Sequence, residues 1–173
     1  MQDAFLKFVD QKKLCKSTDK ILVGVSGGLD SMVLLHLLQA VGYRPSIAHA
    51  NFQMRDLESD RDENFVRNYC TAHHLNFYSH RFETNNYATA NGISIQMAAR
   101  ELRYQWFDEL IRLHGFDALA TAHHSNDNVE TVLLNLIKGA GIQGLTGIPP
   151  KNGFLIRPLL FATREQIERY AAD

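Results

Sequence analysis

The chain of 173 residues is 45% hydrophobic, 21% charged and 10% aromatic, which supplies one core and too little material for a second. The 18 Lys and Arg against 19 Asp and Glu give a formal charge of -1, so no general basic field covers the chain and a nucleic-acid partner needs a local patch. Cys15 and Cys70 form no C-x-x-C pair and no apolar run or N-terminal signal for a membrane is present, which argues against zinc, iron–sulfur, redox, secreted and bilayer-spanning proteins and for reduced thiols in a cytoplasmic one.

An opening helix over about Asp3 to Leu14 carries Phe5, Phe8 and Val9 at i, i+3, i+4 spacing. Ile21 to Val25 is a continuous apolar run, the signature of a strand buried on both faces of a parallel sheet. It stops at Ser26-Gly27-Gly28, and from Ser31 a helical period takes over with Val33, Leu34, Leu37, Leu38 and Val41 on one side. A second unit follows: a strand near Ser46 to Ala50 and a helix from about Ser59 to His73, with Ser59-x-x-Asp62 as a capping box.

Asn76 to Phe82 reads as the third strand, and Glu83 to Gly92 as a polar connection. The long helix after it bears Ile95, Ala98, Ala99, Leu102, Trp106, Leu110 and Leu113 along one stripe. Trp106 is thereby expected in the core, with Tyr104 undecided. Ala118 to Ala122 is a fourth strand, followed by the turn His123 to Asn128 and a helix with Val129, Val132, Leu133, Leu136 and Ile137. Gly139, Gly141, Gly144 and Gly147 mark a loop, Phe154 to Ile156 a fifth strand, and Thr163-x-x-Gln166 caps a last helix.

Strands alternating with helices specify an α/β architecture: a doubly wound, Rossmann-like parallel sheet of about five strands, with helices on both faces. In the order 3-2-1-4-5 the ligand crevice opens beyond the ends of strands one and four. The turns after Ser26 and Ala122 then face one another.

The first of these turns, Ser26-Gly27-Gly28-Leu29-Asp30-Ser31, precedes a helix N-terminus. Adjacent glycines let backbone N–H groups approach an anion, the helix start presents unpaired donors, and Ser26 and Ser31 add hydroxyls. Asp30 repels a bare phosphate, a conflict that a bridging divalent cation, Mg²⁺ by preference, removes. The turn is neither a Walker loop nor a G-x-G-x-x-G fingerprint, since no lysine precedes Ser31 and the glycine spacing differs. In the second turn Asp127 and Glu130 stand three apart at a helix start and share a face. Helix capping by Asn126 or Asp127 and a dipole contact from Glu130 are the structural alternatives.

The pattern S-G-G-x-D-S resembles the pyrophosphate-binding loop of N-type ATP pyrophosphatases. Five further segments are similar to the tRNA(Ile)-lysidine synthase family: His49 to Arg55, Ser94 to Tyr104, Ala122 to Thr131, Lys138 to Leu145, and Arg157-Pro158-Leu159-Leu160. The family's H-x-N-H reads here His49-Ala50-Asn51-Phe52, so no imidazole stands at the last position.

This resemblance implies that residues 1–173 are an N-terminal PP-loop ATP pyrophosphatase domain, cut at its C-terminal end and without downstream tRNA-binding regions. It implies ATP and Mg²⁺ as cofactors, with Ser26, Gly27, Gly28, Leu29, Asp30, Ser31, His49 and Asn51 on the nucleotide and Asp30 and Asp127 on the metal. Asp30, Asp127 and Glu130 are the expected catalytic carboxylates. Arg55, Arg100, Arg103, Lys138 and Arg157 are candidates for phosphates of ATP or RNA, although a solvated helix face explains Arg100 and Arg103 as well. His49 and His123 lie at strand ends beside the crevice, and the remaining histidines are expected on the surface or in hydrogen bonds. The implied partners are tRNA(Ile) with a CAU anticodon and free L-lysine, with no membrane and a homodimer left open. A tRNA thiolase, a GMP or NAD synthetase, or a nucleotide-binding module without chemistry are the rival readings.

Overall fold

A computed structural model describes residues 1–54, 56–139 and 145–172. Its strands are β1 (Ile21–Gly24), β2 (Ser46–Asn51), β3 (Phe77–Arg81), β4 (Ala118–Ala120), β5 (Lys151–Asn152) and β6 (Leu155–Ile156). They lie in the order β3-β2-β1-β4-β6-β5, all neighbours parallel except the antiparallel pair β5 and β6. The helices are α1 (Gln2–Gln11), α2 (Leu29–Ala40), α3 (Asp56–Ala72), α4 (Thr84–Asn91), α5 (Ile95–His114), α6 (Ser125–Ile137) and α7 (Arg164–Ala172). Among the described residues no helix is long and apolar enough to cross a membrane.

The two faces of β1 feed two cores, because successive side chains of a strand point to opposite sides. Ile21 and Val23 join Phe5, Val9, Leu34, Leu37, Val66 and Ile167 on one face. Leu22 joins Ala48, Trp106, Phe107, Leu110 and Leu119 on the other. Trp106 is therefore a core residue, as its place in the stripe of α5 requires. Ser94 caps α5 by accepting the Met97 N–H (3.2 Å), and Gly115 ends it in the left-handed conformation.

Four differences from the sequence reading have physical causes. Among the described residues the sheet has six strands, because Gly153 (φ 58) lets the chain fold β5 back on β6; two residues per strand carry no readable period. Thr84–Asn91, read as a connection, is helix α4: it buries only Thr84 and Ala88 and shows no apolar stripe. Helix α3 begins at Asp56, so Ser59 lies inside it and is not its cap. Helix α6 buries none of its residues, although its apolar period implied a packed face. The box at Thr163 does form, with Thr163 N–H on Gln166 Oε1 (2.9 Å) and Gln166 N–H on Thr163 Oγ1 (3.2 Å).

Candidate functional site

The turn from β1 into α2 is shaped by its own serines. Ser31 Oγ donates to the Gly28 carbonyl (2.8 Å) and accepts the Ser26 N–H (3.2 Å). A hydroxyl has one proton, so in the Ser26–Ser31 hydroxyl contact (3.2 Å) Ser26 donates, while its oxygen accepts the Gly28 N–H (3.2 Å). Both hydroxyl protons are thus spent inside the loop, and the serines hold its shape. Gly27 has φ 92 and a Cβ there would lie 3.3 Å from the Asp62 side chain, so the turn requires glycine. The first helical bond is Met32 N–H to the Gly28 carbonyl (3.1 Å). The N–H groups of Leu29, Asp30 and Ser31 ahead of it have no intrahelical partner, which makes this end a cradle for an anion.

The turn from β4 into α6 faces it across the sheet's reversal point, as the strand order dictates. A cleft of about 250 Å³ opens between the two turns, lined by Ser26, Gly28, Asp30, Ser31, His123 and Asp127 at one end. Asp127 accepts the His124 N–H on Oδ2 (2.8 Å) and so caps α6. His124 is 9% exposed and its ring lies between the two carboxylates, Nδ1 3.6 Å from Asp127 Oδ2 and Nε2 4.0 Å from Asp30 Oδ2. Asp30 Oδ2 is also ion-paired with Arg164 Nη1. Asp30 Oδ1 and His124 Nδ1 are buried without a hydrogen-bond partner.

The other wall is apolar and cationic. Phe52, standing where a second histidine was expected, stacks on Phe82 (5.5 Å between centroids). The Arg103 guanidinium lies 5.0 Å above the Phe52 ring, a cation–π contact, and burial lowers the Arg103 pKa. Phe52, Arg103 and Tyr104 all line the cleft. His123 Nδ1 bonds Thr121 Oγ1 (2.9 Å); burial, then the nearby charge of Arg157, lowers its pKa and favours the neutral ring.

Other expected site residues stand elsewhere. In β2 the cleft takes Ala48 and Ala50, so the alternation of a strand turns His49 and Asn51 to the opposite face. His49 Nδ1 bonds the Val25 carbonyl (2.9 Å) beside the phosphate-type turn, and burial lowers its pKa. Asn51 donates to Glu63 Oε2 (3.0 Å) and accepts the Gln53 N–H (3.0 Å). Glu130 and Lys138 are exposed on α6 and just beyond its end, outside the cleft lining. Arg100 is exposed over the Tyr104 ring (4.9 Å). Arg157 is buried and donates to the Pro149 carbonyl (2.6 Å), fastening the turn before β5. Arg55 and the glycines Gly141 and Gly144 lie outside the described residues.

Two residues of the site carried no sequence signal: His124, grouped with the histidines expected on the surface or in hydrogen bonds, and Arg164, which is 134 positions from its partner Asp30. Only the topology brings Arg164 in.

A hard divalent cation suits the donors present. Two carboxylates share the cleft, one with a buried unpartnered oxygen, and oxygen ligands are what Mg²⁺ prefers. Among the described residues no group of three or more His, Cys, Asp or Glu is placed to hold a metal ion by itself; Mg²⁺ ordinarily takes one or two carboxylates and completes its shell with phosphate oxygens and water.

A family model described as a PP-loop domain matches residues 1–173. The tRNA(Ile)-lysidine synthase of Bacteroides thetaiotaomicron is 47% identical over 170 residues, 98% of this chain and 40% of that protein. That of Chlorobaculum tepidum is 46% identical over 173 residues, 98% of this chain and 52% of its own length. The chain thus spans between two fifths and about half of these relatives. Among solved structures, the U34-tRNA thiolase NcsA of Methanococcus maripaludis superposes with a TM-score of 0.72 at 18% identity, covering 98% of this chain and 64% of the thiolase. The NH3-dependent NAD synthetase of Campylobacter jejuni gives 0.66 at 16% identity, over 99% and 72%. These two likenesses concern the fold.

Proposed function

The chain belongs to the PP-loop domain family, and from that membership we propose that it is the ATP-cleaving part of a lysidine-forming ligase acting on tRNA(Ile). The observation that carries the proposal is the single cleft in which the Ser26–Ser31 cradle, Asp30 and Asp127 meet. The similarity to the two synthases supports the choice of substrate. In the proposed reaction the C2 oxygen of the wobble cytidine in the CAU anticodon attacks the α-phosphorus of ATP. The α–β bond breaks and pyrophosphate leaves. The amine of free L-lysine then attacks C2, the C2–O bond breaks, AMP leaves, and lysidine remains.

Each residue of the cleft has a physical task in this scheme. The N–H groups at the start of α2 receive the leaving pyrophosphate, whose charge is stabilised by the helix N-terminus. Ser26 and Ser31 hold the loop in the shape that exposes those donors. Asp30 and Asp127 would hold Mg²⁺, which when bound neutralises charge on the phosphoryl oxygens. Arg103, backed by Phe52, faces the anionic substrate from the opposite wall. The neutral His123 ring and the half-buried wall reduce water access. Contacts with the body of the tRNA are assigned to regions outside residues 1–173, and the reaction is placed in the cytoplasm.

The test is pyrophosphate release from Mg²⁺–ATP with labelled-lysine incorporation into tRNA(Ile), parent against Asp30→Ala, in the longer protein that includes the tRNA-contacting regions. The parent should do both, and the variant should lose at least about 100-fold in pyrophosphate release, the scale of removing one preorganised charge-stabilising group, while its melting temperature stays near that of the parent. Parent-like turnover by Asp30→Ala would overturn the assignment of this loop. AMP release supported by ammonia or a sulfur donor in place of lysine would overturn the choice of nucleophile.

A further inference from the structure

We propose that Arg164 is a positioning residue that makes Asp30 a one-oxygen ligand and thereby sets the preference of this site for magnesium over calcium. The inference rests on the reading of the cleft as a magnesium–ATP site.

Each of the two carboxylates has one oxygen taken and one left. Asp30 gives Oδ2 to the Arg164 guanidinium, while Oδ1 is buried with no partner. Asp127 gives Oδ2 to the His124 N–H (2.8 Å). A carboxylate whose second oxygen is committed to a protein donor is confined to single-oxygen coordination. Mg²⁺ accepts that, since it needs six ligands in a strict octahedron at short distance. Ca²⁺ is larger, takes six to eight oxygens and readily grips both oxygens of one carboxylate. Removing the donor from Oδ2 therefore costs magnesium an oriented ligand and offers calcium a wider one.

Arg164 is itself held in place by two contacts of its own, and the residues before it are fixed by others. Its Nε donates to Glu168 Oε1 (2.8 Å) on the same helix, and its backbone N–H donates to Asn126 Oδ1 (3.0 Å) at the start of α6. One residue earlier, the box between Thr163 and Gln166 fixes the helix start, and the Ala162 carbonyl accepts the Ser125 N–H (2.9 Å). The start of α7 and the residues just before it thus touch both carboxylate-bearing turns, reaching Asp30 by the Arg164 side chain and the Asp127 turn through the Arg164 N–H and the Ala162 carbonyl. Partners one step removed from a metal ligand typically contribute 10- to 100-fold to metal affinity.

The experiment measures Mg²⁺ and Ca²⁺ dissociation constants by calorimetry in the presence of a non-hydrolysable ATP analogue, with melting temperatures in parallel. Arg164→Ala should weaken Mg²⁺ by about 10-fold and Ca²⁺ by much less, so that discrimination between the two ions falls. Arg164→Lys, which keeps one cationic donor for Oδ2, should recover most of the discrimination, and Glu168→Gln should behave as the parent. If Arg164→Ala does not fold, Arg164→Gln makes the same comparison. Unchanged constants, equal weakening of both ions, or tighter Mg²⁺ binding in the alanine variant would each overturn the inference while leaving the magnesium–ATP reading in place. A parent protein that binds neither the analogue nor Mg²⁺ would overturn both.

Discussion

The two carboxylates of the cleft stand on turns of the same kind, strand into helix, yet the helices behind them are held by different forces. Helix α2 buries Ser31, Val33, Leu34, Leu35, Leu37 and Leu38, so the Asp30 turn is fixed by the core beneath it. Helix α6 buries nothing, and Val129, Leu133, Leu134, Leu136 and Ile137 are each more than half exposed. The Asp127 turn is instead held by polar contacts. Asp127 caps the helix, Asn126 accepts the Arg164 N–H, Ser125 donates to the Ala162 carbonyl, and Asn128 Oδ1 accepts the Ile148 N–H (2.6 Å). One half of the cleft is rigid because apolar surface is buried, the other because backbone donors and acceptors are paired across turns.

The largest effect expected from this contrast is in the packed half. Leu34 is 0% exposed at the centre of its core, and Leu34→Ala should cost about 2–5 kcal/mol of unfolding free energy, the range for a truncated buried leucine. Denaturant unfolding measures it. A cost below about 1 kcal/mol would mean that α2 is not the fixed reference against which Asp30 is held.

A second effect in the same half depends on pH. Glu63 is 4% exposed and joins three elements: it accepts from Asn51 in β2, Arg67 in α3 and Arg81 in β3. Burial alone would raise its pKa, but these donors and cations outweigh it and hold the carboxyl at about 2. A carboxylate depressed in the fold stabilises it above the unfolded-state pKa, and that stabilisation disappears as pH falls from about 4.5 towards about 2. The stabilisation lost across that window is on the order of 3 kcal/mol. Thermal unfolding from pH 6 to pH 2 should therefore show a shallower acid decline in Glu63→Gln than in the parent, and parallel curves would remove Glu63 from the account.

The same contrast explains what was legible in the sequence. The run Ile21 to Val25 and the periods of α2 and α5 specified buried elements, and the βα alternation specified the strand order that brings Asp30 opposite Asp127. These features follow from apolar period and chain topology. The apolar period of α6 specified its helix equally well but not its cover, since burial depends on which elements the topology lays against it. Helix α4 and β5 were missed for want of any period. The pair His49 and Asn51, two apart on one strand, had to share a face, and nothing in the string H-x-N-F says which face meets the cleft. Arg164 and His124 enter through contacts that only the folded chain creates.

The smallest expected effect is the sharpest test of the polar half. Ile137 is 82% exposed, so Ile137→Ser removes little buried area and should change stability by no more than about 0.5 kcal/mol. Asn128→Ala removes a smaller apolar surface but leaves the Ile148 N–H without its acceptor, and should cost about 1–3 kcal/mol, the scale for an orphaned partner. Packing would rank the two the other way round, because isoleucine is the larger hydrophobe. Matched chemical denaturation of both variants decides between them. The asparagine cost exceeding the isoleucine cost means that α6, and with it Asp127, is held by hydrogen bonds at its start, whereas the reverse order would return α6 to the same kind of support as α2.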